Sequence, residues 1–309
     1  MEEINKGLVF VFATALISGV SIYINKFGLG LFVKTTTPAT FTLLKNASVA
    51  LFLFSLLLLS REHKQLLKLK KREWGKLIAV GLLGGCLPFI LFFKGLALTQ
   101  PANASFIHKT LFIWVLILSI VFLKERHAKD YIGLGAVILF GNFLLLGLSK
   151  LSFGMGDLLV LLAAVLWAGE FVLSKHLLKT ISPNQVAFAR MFFGSLLILV
   201  YVGFVEHSLG KITTLSLAQI GWVLITATFL LGYVLTWYNG LARISPVVAT
   251  LVLMLGSPIT TMLNVLSGTK IALMQSLGIL LIGLGVGFCV LIFKEQIKQE
   301  PLLQTRGVC

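Results

Sequence analysis

The chain has 309 residues, of which 58% are hydrophobic and only 12% are charged. Soluble domains carry about a quarter of charged residues, so this composition excludes an ordinary soluble enzyme, whose surface needs more polar side chains. A formal net charge of +15 suits nucleic-acid binding in a soluble protein, but the positions of the charges make nucleic acid an unnecessary partner. We therefore expect a protein solvated by lipid.

Ten windows of about 20 apolar residues follow one another, each long enough to cross a bilayer as a helix. They cover residues 7–28, 38–60, 74–98, 101–122, 131–148, 157–178, 184–205, 219–241, 246–266 and 274–293. The apolar runs are unbroken and lack the alternation of a membrane barrel, so we predict helices. The first window has no basic segment before it and no small-residue cleavage site at its end, which indicates a retained helix.

Lysine and arginine are distributed unevenly between the two sets of loops. With the N-terminus inside, sixteen fall on the inner side and four on the outer side. The outer four are Lys34, Lys150, Lys211 and Lys270. Because short cytoplasmic loops are enriched in positive residues, we predict an integral plasma (inner) membrane protein with both termini in the cytoplasm. The basic stretch from Arg61 to Lys76 is then expected at the membrane surface, in contact with anionic lipid.

The two halves of the sequence repeat each other. A shift of 145 residues aligns Pro38 with Pro183, Lys45 with Arg190, Gly95 with Gly240, Ala97 with Ala242, Pro101 with Pro246 and Gly133 with Gly278. Each half holds five helices, an odd number, so the second half enters the membrane inverted. Inverted repeats are typical of secondary transporters, whose substrate site lies between the halves near the midplane. We predict an all-α integral membrane fold of ten transmembrane helices, with repeats at 1–148 and 149–293 and a cytoplasmic tail at 294–309.

Several short segments carry a resemblance to a known family. They are Pro38-x6-Lys45, the stretch from Lys94-Gly95-Leu96-Ala97 to Pro101-Ala102-Asn103-Ala104, Leu123-Lys124-Glu125, Asn239-Gly240-Leu241-Ala242 and Ser245-Pro246. Over residues 7–293 the chain resembles the EamA group of the drug/metabolite transporter superfamily. The resemblance implies a ten-helix transporter of small metabolites with alternating access. The family often has an acidic residue after the ninth helix too, but here Lys270 stands at the position matching Glu125.

Seven ionisable side chains fall within the predicted helices or at their margins. The cations are Lys26, Lys45, Lys94, Lys109, Lys175 and Arg190, and the acid is Glu170. An unpaired charge in hydrocarbon is costly, so each of these residues marks a functional hypothesis. Near helix ends, as at Lys26 and Lys175, the alternative is that the side chain snorkels to the interface.

The deepest cations are predicted to line a central cavity that binds an anion. These are Lys45, Lys109 and Arg190, and the arginine adds a planar fork that grips a carboxylate or phosphate at two points. Lys94 and Asn239, which occupy matching positions in the two halves, are added to this predicted substrate site. For Lys94, snorkelling is an equal alternative.

Glu170 and two tryptophans complete the candidate site. Two roles are open for Glu170: a proton-coupling carboxyl, or a fixed ion pair with Lys175 or Arg190. Trp167 and Trp237 lie close in sequence to Glu170 and Asn239, and we predict that they form an aromatic wall. Ordinary packing is the alternative, because aromatic residues are common in membrane helices.

Glycine pairs suggest where helices approach closely. Gly81 and Gly85, and likewise Gly283 and Gly287, are four residues apart and predict tight helix contacts. The fifth and tenth helices have no ionisable residue in their interiors, so we place them at the periphery as packing or homodimer surfaces.

Other classes of function find little support in the sequence. There is no HExxH, GxSxG or phosphate-binding loop, and Cys86, Cys289 and Cys309 lie far apart, so we expect no enzyme, metal or cofactor. We predict a secondary transporter of a small metabolite, such as one bearing a carboxylate or phosphate, driven by a gradient or by exchange. The alternatives are a lipid-carrier flippase and an exporter of neutral, zwitterionic or aromatic compounds.

Overall fold

The computed structural model describes residues 1–33, 35–125, 127–147 and 153–306, and within these ranges the regular structure is entirely helical. In these described ranges, ten helices are long and apolar enough to span a membrane. They are α1 (Glu2–Val33), α2 (Pro38–Leu59), α3 (Lys71–Leu96), α4 (Asn103–Leu123), α5 (Ala128–Leu146), α6 (Met155–Leu177), α7 (Pro183–Phe204), α8 (Leu217–Arg243), α9 (Pro246–Leu266) and α10 (Leu273–Gln299). The prediction of an all-α membrane protein with ten spanning helices is confirmed.

Matching helices of the two halves begin in the same way. Thr37 precedes α2, and its hydroxyl accepts a hydrogen bond of 3.1 Å from the main-chain N–H three residues later. Ser182 does the same before α7 at 3.3 Å. A proline follows each cap, Pro38 and Pro183, at the one helical position where a missing N–H costs nothing. The sequence repeat aligns these two prolines, and the helices α2 and α7 that they begin therefore share the same type of N-terminal cap.

Helix packing follows a pseudo-two-fold symmetry that exchanges each helix with the one five places later. The contact between α1 and α8 corresponds to that between α6 and α3, and the contact between α1 and α9 to that between α6 and α4. The pairs α2 with α7 and α5 with α10 each map onto themselves. With five spanning helices in each half, this arrangement confirms the predicted inverted repeat.

Two equivalent helices are interrupted. In α4 the first helical segment, Pro101–Lys109, begins just before the apolar span and is followed by Leu111–Leu118. In α9 the segments are Pro246–Leu253 and Gly256–Leu266. At the breaks the hydrogen bonds tighten to the residue three positions earlier, from the Thr110 N–H to the Ile107 carbonyl and from the Met254 N–H to the Leu251 carbonyl. Interrupted helices at matching positions in inverted repeats are typical of transporters.

The two halves approach closely where α3 crosses α7. A Cβ atom added to Gly85 would lie 2.8 Å from the Cα of Gly194, so the two backbones touch. Gly283 and Gly287 on α10 differ, because a Cβ added there meets no atom of the described chain within 4 Å. The first glycine pair thus lies in the core, and the second faces outward.

Two faces are needed to describe the site. The face at which the chain begins, with the connections at 60–70 and 178–182, is called the terminal face. The face with the connections at 97–100 and 205–216 is called the opposite face.

Candidate functional site

The middle of α3 leaves the regular α-helix. Residues Gly81–Cys86 form a π-helical segment, and the N–H of Leu87 donates to the carbonyl of Leu82, five positions earlier. Pro88 follows and has no N–H, so it cannot donate an α-helical hydrogen bond to the carbonyl of Gly84. Such breaks are found in membrane helices where other groups satisfy the backbone.

The Gly84 carbonyl accepts hydrogen bonds from two side chains of the second half. Nη2 of Arg190 donates to it at 3.2 Å, and Nε1 of Trp167 also donates at 3.2 Å. The absence of a side chain at this position is required, because a Cβ atom on Gly84 would lie 2.6 Å from Cγ of Glu170. The bulge in α3 therefore places Arg190, Trp167 and Glu170 around one backbone carbonyl.

Glu170 uses its two carboxylate oxygens differently. Oε1 accepts hydrogen bonds from the Ser174 hydroxyl at 2.6 Å and the Tyr238 hydroxyl at 2.7 Å. Oε2 faces Nη1 of Arg190 at 4.0 Å, and the two side chains are 0% and 6% exposed. That distance is beyond hydrogen-bonding range, so this pair is an ion pair without direct hydrogen bonds inside the membrane.

Three polar atoms of this pair have no hydrogen-bond partner among the described residues. They are Oε2 of Glu170 and both Nε and Nη1 of Arg190. Buried charged groups are normally hydrogen-bonded, because an unsatisfied one costs a large desolvation penalty. The site thus offers two donors and one acceptor for a ligand or a proton.

Aromatic rings surround Trp167. Its ring centroid lies 5.1 Å from that of His108, 5.3 Å from that of Phe89 and 5.8 Å from that of Phe92. Since Trp167 also shares the Gly84 carbonyl with Arg190, an aromatic wall lies directly beside the ion pair.

Trp237 packs against α6 beside Phe171, the residue that follows Glu170. It is fully buried, 4.5 Å from Phe171 and 6.3 Å from Tyr233 between ring centroids. Its ring is packed in the core, and its indole Nε1 has no hydrogen-bond partner among the described residues.

A cavity of about 220 Å³ opens at the opposite face between α2, α3 and α7. Lys94 and Glu206 are the charged residues in its lining. The Lys94 ammonium lies 5.5 Å from the centroid of the Tyr201 ring. Oε2 of Glu206 accepts a hydrogen bond of 2.5 Å from the Thr37 hydroxyl.

A second cavity, of about 520 Å³, lies at the terminal face and is lined by Glu125, Lys175 and Ser245. The Ser245 hydroxyl donates to Oε2 of Glu125 at 2.9 Å. Nζ of Lys175 donates to the carbonyls of Leu241 at 2.8 Å and Ile244 at 2.9 Å, where α8 ends. Burial raises the pKa of the Glu125 carboxyl, and the Ser245 hydrogen bond and the Lys175 charge offset part of this increase.

The remaining candidate residues make separate contacts. Nζ of Lys45 donates to Oδ1 of Asn25 at 2.7 Å, and Oδ1 of Asn239 accepts from Nη1 of Arg243 at 3.2 Å. Lys109 is half-buried and ends the first segment of α4, directly before its break. The structure therefore groups Glu170, Arg190 and Trp167, while Lys45, Lys109, Asn239 and Trp237 have other neighbours.

Of the two partners that the sequence allowed for Glu170, the structure places Arg190 beside it. Lys175 instead reaches the end of α8, since three carbonyls there lack helical donors. The hydroxyl of Ser174 and the carbonyl of Gly84 were not recognised from the sequence. The sequence contains an indication of each. Ser174 follows Glu170 by one helical turn, so the two side chains share a helix face. Pro88 follows Gly84 by four residues, so it cannot donate to the Gly84 carbonyl.

The fold and the buried ion pair define a membrane transporter built from an inverted repeat. The chain belongs to the EamA-like transporter family, whose sequence model matches residues 5–147 and 154–291, one segment in each half. The predicted resemblance is thereby confirmed, and the protein is a membrane transporter of small metabolites.

Individual relatives are transporters as well. The chain is 28% identical over 218 residues to the uncharacterized transporter YyaM of Bacillus subtilis, covering 68% of this chain and 70% of that protein. It is 29% identical over 214 residues to the riboflavin transporter ImpX of Fusobacterium nucleatum, covering 65% and 71%. A solved crystal structure superposes with a TM-score of 0.73 at 19% identity, covering 94% of this chain and 98% of the other, which shows the shared fold.

Proposed function

We propose that the protein is a secondary transporter that carries a small organic anion together with a proton, by alternating access between the two faces. The observation that carries the proposal is the buried Glu170 and Arg190 pair, whose facing atoms are 4.0 Å apart. Alternating access agrees with the inverted repeat and with cavities on both faces.

Arg190 is the proposed substrate-binding residue. Its Nη2 is held by the Gly84 carbonyl, while Nε and Nη1 have no acceptor among the described residues. Each amino nitrogen of a guanidinium carries two N–H groups, so Nη1 and the second N–H of Nη2 together bind a carboxylate through two parallel hydrogen bonds, which a lysine cannot reproduce. The aromatic rings around Trp167 offer an apolar surface for the body of the same substrate.

Glu170 is the proposed proton-binding residue. A substrate carboxylate at Arg190 would lie beside the Glu170 carboxylate, and two like charges in a buried site favour protonation of one of them. The Ser174 and Tyr238 hydroxyls keep Oε1 solvated whether or not Oε2 carries a proton. Binding of a monoanion is thus coupled to binding of one proton, and the loaded site remains neutral overall.

Proteoliposome uptake tests this proposal with radiolabelled phenylpyruvate, indole-3-acetate, citrate and riboflavin as probes. We expect uptake of an aromatic carboxylate, and a reduction of at least about tenfold in Arg190→Lys, because the bidentate contact is lost. The matched control is Arg72→Lys, an exposed arginine at the start of α3 that is absent from the lining of both cavities. Carboxylate uptake that is equal in Arg190→Lys and in the unmodified protein would overturn the proposal.

A second candidate is transport of a neutral aromatic compound. The observation in its favour is the group of rings around Trp167, and the similarity to a riboflavin transporter agrees with it. Riboflavin uptake that is retained in Arg190→Lys, without uptake of any carboxylate probe, would favour this function.

A further inference from the structure

The cavity at the opposite face is separate from the buried ion pair and differs from it in character. Its lining is mainly apolar and includes Phe89 and Phe93 from α3. Lys94 and Glu206 bring one charge of each sign into this apolar surface. The cavity can therefore accommodate a small amphiphilic molecule at a distance from Arg190.

The two charges of the cavity are held differently. Among the described residues, the Lys94 ammonium has no hydrogen-bond or ion-pair partner, and its contact is with the Tyr201 ring at 5.5 Å. Glu206 is fixed by the Thr37 hydroxyl. The exposed ammonium is consequently the group that is available to a visiting anion.

A cluster of buried apolar residues adjoins the cavity on α2, α3 and α7, and two of these helices, α3 and α7, also carry Gly84 and Arg190. Leu43, Cys86 and Ile198 are buried against one another, and cavity-lining residues pack onto them. Ile198 also lines the cavity and lies eight residues after Arg190 on α7, about 12 Å along the helix axis. We call Leu43, Cys86 and Ile198 the plug.

We propose that this cavity is a vestibule for an organic anion with an apolar body, and that the plug must open for the anion to reach Arg190. Lys94 attracts the anionic group, and Phe89 and Phe93 contact the apolar body. This inference rests on the proposed function, because it supplies the route to the same buried site.

The charges in the vestibule make opposite contributions. A cation in a cleft with apolar walls raises the local concentration of anions, and an acid in the same cleft lowers it. Lys94→Gln should therefore weaken anion capture, and Glu206→Gln should strengthen it. If either residue had only a structural role, the two substitutions would not change anion capture in opposite directions.

Thiol-modification rates measure this local potential without knowledge of the natural substrate. Ala97 lines the vestibule and is exposed, so Ala97→Cys provides a reporter after Cys86, Cys289 and Cys309 are replaced by serine. Purified protein is treated with two methanethiosulfonates, one bearing a sulfonate and the other a trimethylammonium group. The measured quantity is the ratio of the anionic to the cationic reaction rate.

Removal of one charge a few ångströms away should change each rate by about threefold in opposite directions. The ratio should thus fall by roughly tenfold in Lys94→Gln and rise by a similar factor in Glu206→Gln. The control is Lys26→Gln, whose ammonium is held by Asn264 and is absent from the vestibule lining. An anionic-to-cationic rate ratio that is unchanged in Lys94→Gln, or that changes equally in Lys26→Gln, would contradict the vestibule proposal.

Cys86 tests the plug directly, since it is one of its three residues. With Cys289 and Cys309 replaced by serine, the anionic reagent should modify Cys86 at least about tenfold more slowly than it modifies Ala97→Cys, because Cys86 is buried. Ile198→Ala and Leu43→Ala should each accelerate this reaction. Ile138→Ala, a fully buried isoleucine between α5 and α10, is the matched control and should not.

The outcomes separate this inference from the proposed function. Unchanged Cys86 rates in both plug variants would contradict the route through the plug, while a transport defect in Arg190→Lys would still support the buried anion site. Expected rate ratios in the vestibule together with normal carboxylate uptake in Arg190→Lys would retain the vestibule and reject Arg190 as the binding residue.

Discussion

At the scale of single residues, the Glu170 carboxylate balances the charge of Arg190 without a hydrogen bond to it. One oxygen is solvated by two hydroxyls, and the other faces the guanidinium at 4.0 Å. A buried ion pair is sensitive to the loss of either partner, because the remaining charge is left uncompensated. This sensitivity provides a test that requires no transport assay.

Glu170→Gln should lower the thermal stability of the purified protein, because it leaves the Arg190 charge unpaired. Loss of one partner of a buried pair typically costs about 3–5 kcal/mol. Phenylpyruvate should restore part of the lost melting temperature, and should stabilise Glu170→Gln more than the unmodified protein, since its carboxylate replaces the missing one. Equal stabilisation of Glu170→Gln and of the control Glu2→Gln, whose side chain is 84% exposed, would contradict this account.

Glu125 predicts a pH dependence of stability. Burial raises its pKa, so the folded protein binds this proton more tightly than the unfolded chain does. The resulting stabilisation is full below the ordinary glutamate range, roughly pH 4.3, and is lost as the pH rises through the raised pKa. Melting temperatures between pH 4 and 7 should therefore fall less in Glu125→Gln than in the unmodified protein.

The control for this pH series is Glu2→Gln, whose side chain is 84% exposed. It should follow the unmodified protein over the whole range. A slope in Glu125→Gln that equals the slope of this control would show that Glu125 does not contribute.

At the scale of elements, the bulge in α3 is the feature that the site requires. Gly84→Ala should reduce transport and stability, because its Cβ would lie 2.6 Å from Cγ of Glu170. Gly169→Ala is the matched control, since a Cβ at Gly169 meets no atom of the described chain within 4 Å. Uptake of the probe carboxylate and the melting temperature check this prediction, which fails if both variants behave alike.

The transmembrane helices themselves could be predicted, since apolar runs of sufficient length determine them. The windows match the observed helices to within a few residues, except that α1 extends beyond the predicted residues 7–28 to Glu2–Val33 and α10 extends beyond the predicted residues 274–293 to Gln299. Lys6 pairs with Glu2 and Glu3 on the same helix face, which supports an additional polar turn. A hydropathy profile does not detect such a turn, because its residues are polar.

The irregular segments could not be predicted in the same way. The π-helical stretch in α3 and the breaks in α4 and α9 lie inside apolar sequence, where hydropathy is uniform. Pro88 in α3 and Pro258 in α9 mark positions where a helix can kink. Which backbone carbonyl they expose, and which side chain reaches it, depends on packing between the halves.

At the scale of the whole molecule, the sequence repeat aligned the positions of the deep cations, but it did not predict which residues these cations contact. Lys45 and Arg190 match by position, yet Lys45 contacts Asn25 on the neighbouring helix, while Arg190 contacts Gly84 of the other half. Glu170, Tyr238 and Gly84 come from three different helices. An alignment of the halves cannot reveal contacts that do not obey its symmetry.

The orientation of the molecule is a separate prediction, which rests on the sixteen-to-four distribution of loop cations. Gln65→Cys should be protected from a membrane-impermeant thiol reagent in intact cells and react after permeabilisation. Thr269→Cys, in the connection after α9, should react in intact cells. The reverse pattern would place the terminal face outside.

The most direct test of the central claim is to measure proton movement during anion uptake. Proteoliposomes loaded with a pH-sensitive dye receive phenylpyruvate on the outside, and dye fluorescence is recorded alongside radiolabel uptake. The account predicts acidification of the interior by one proton for each monoanion, and in Glu170→Gln it predicts exchange of the anion without a pH change. Uptake by the unmodified protein without acidification, or acidification retained in Glu170→Gln, would contradict it.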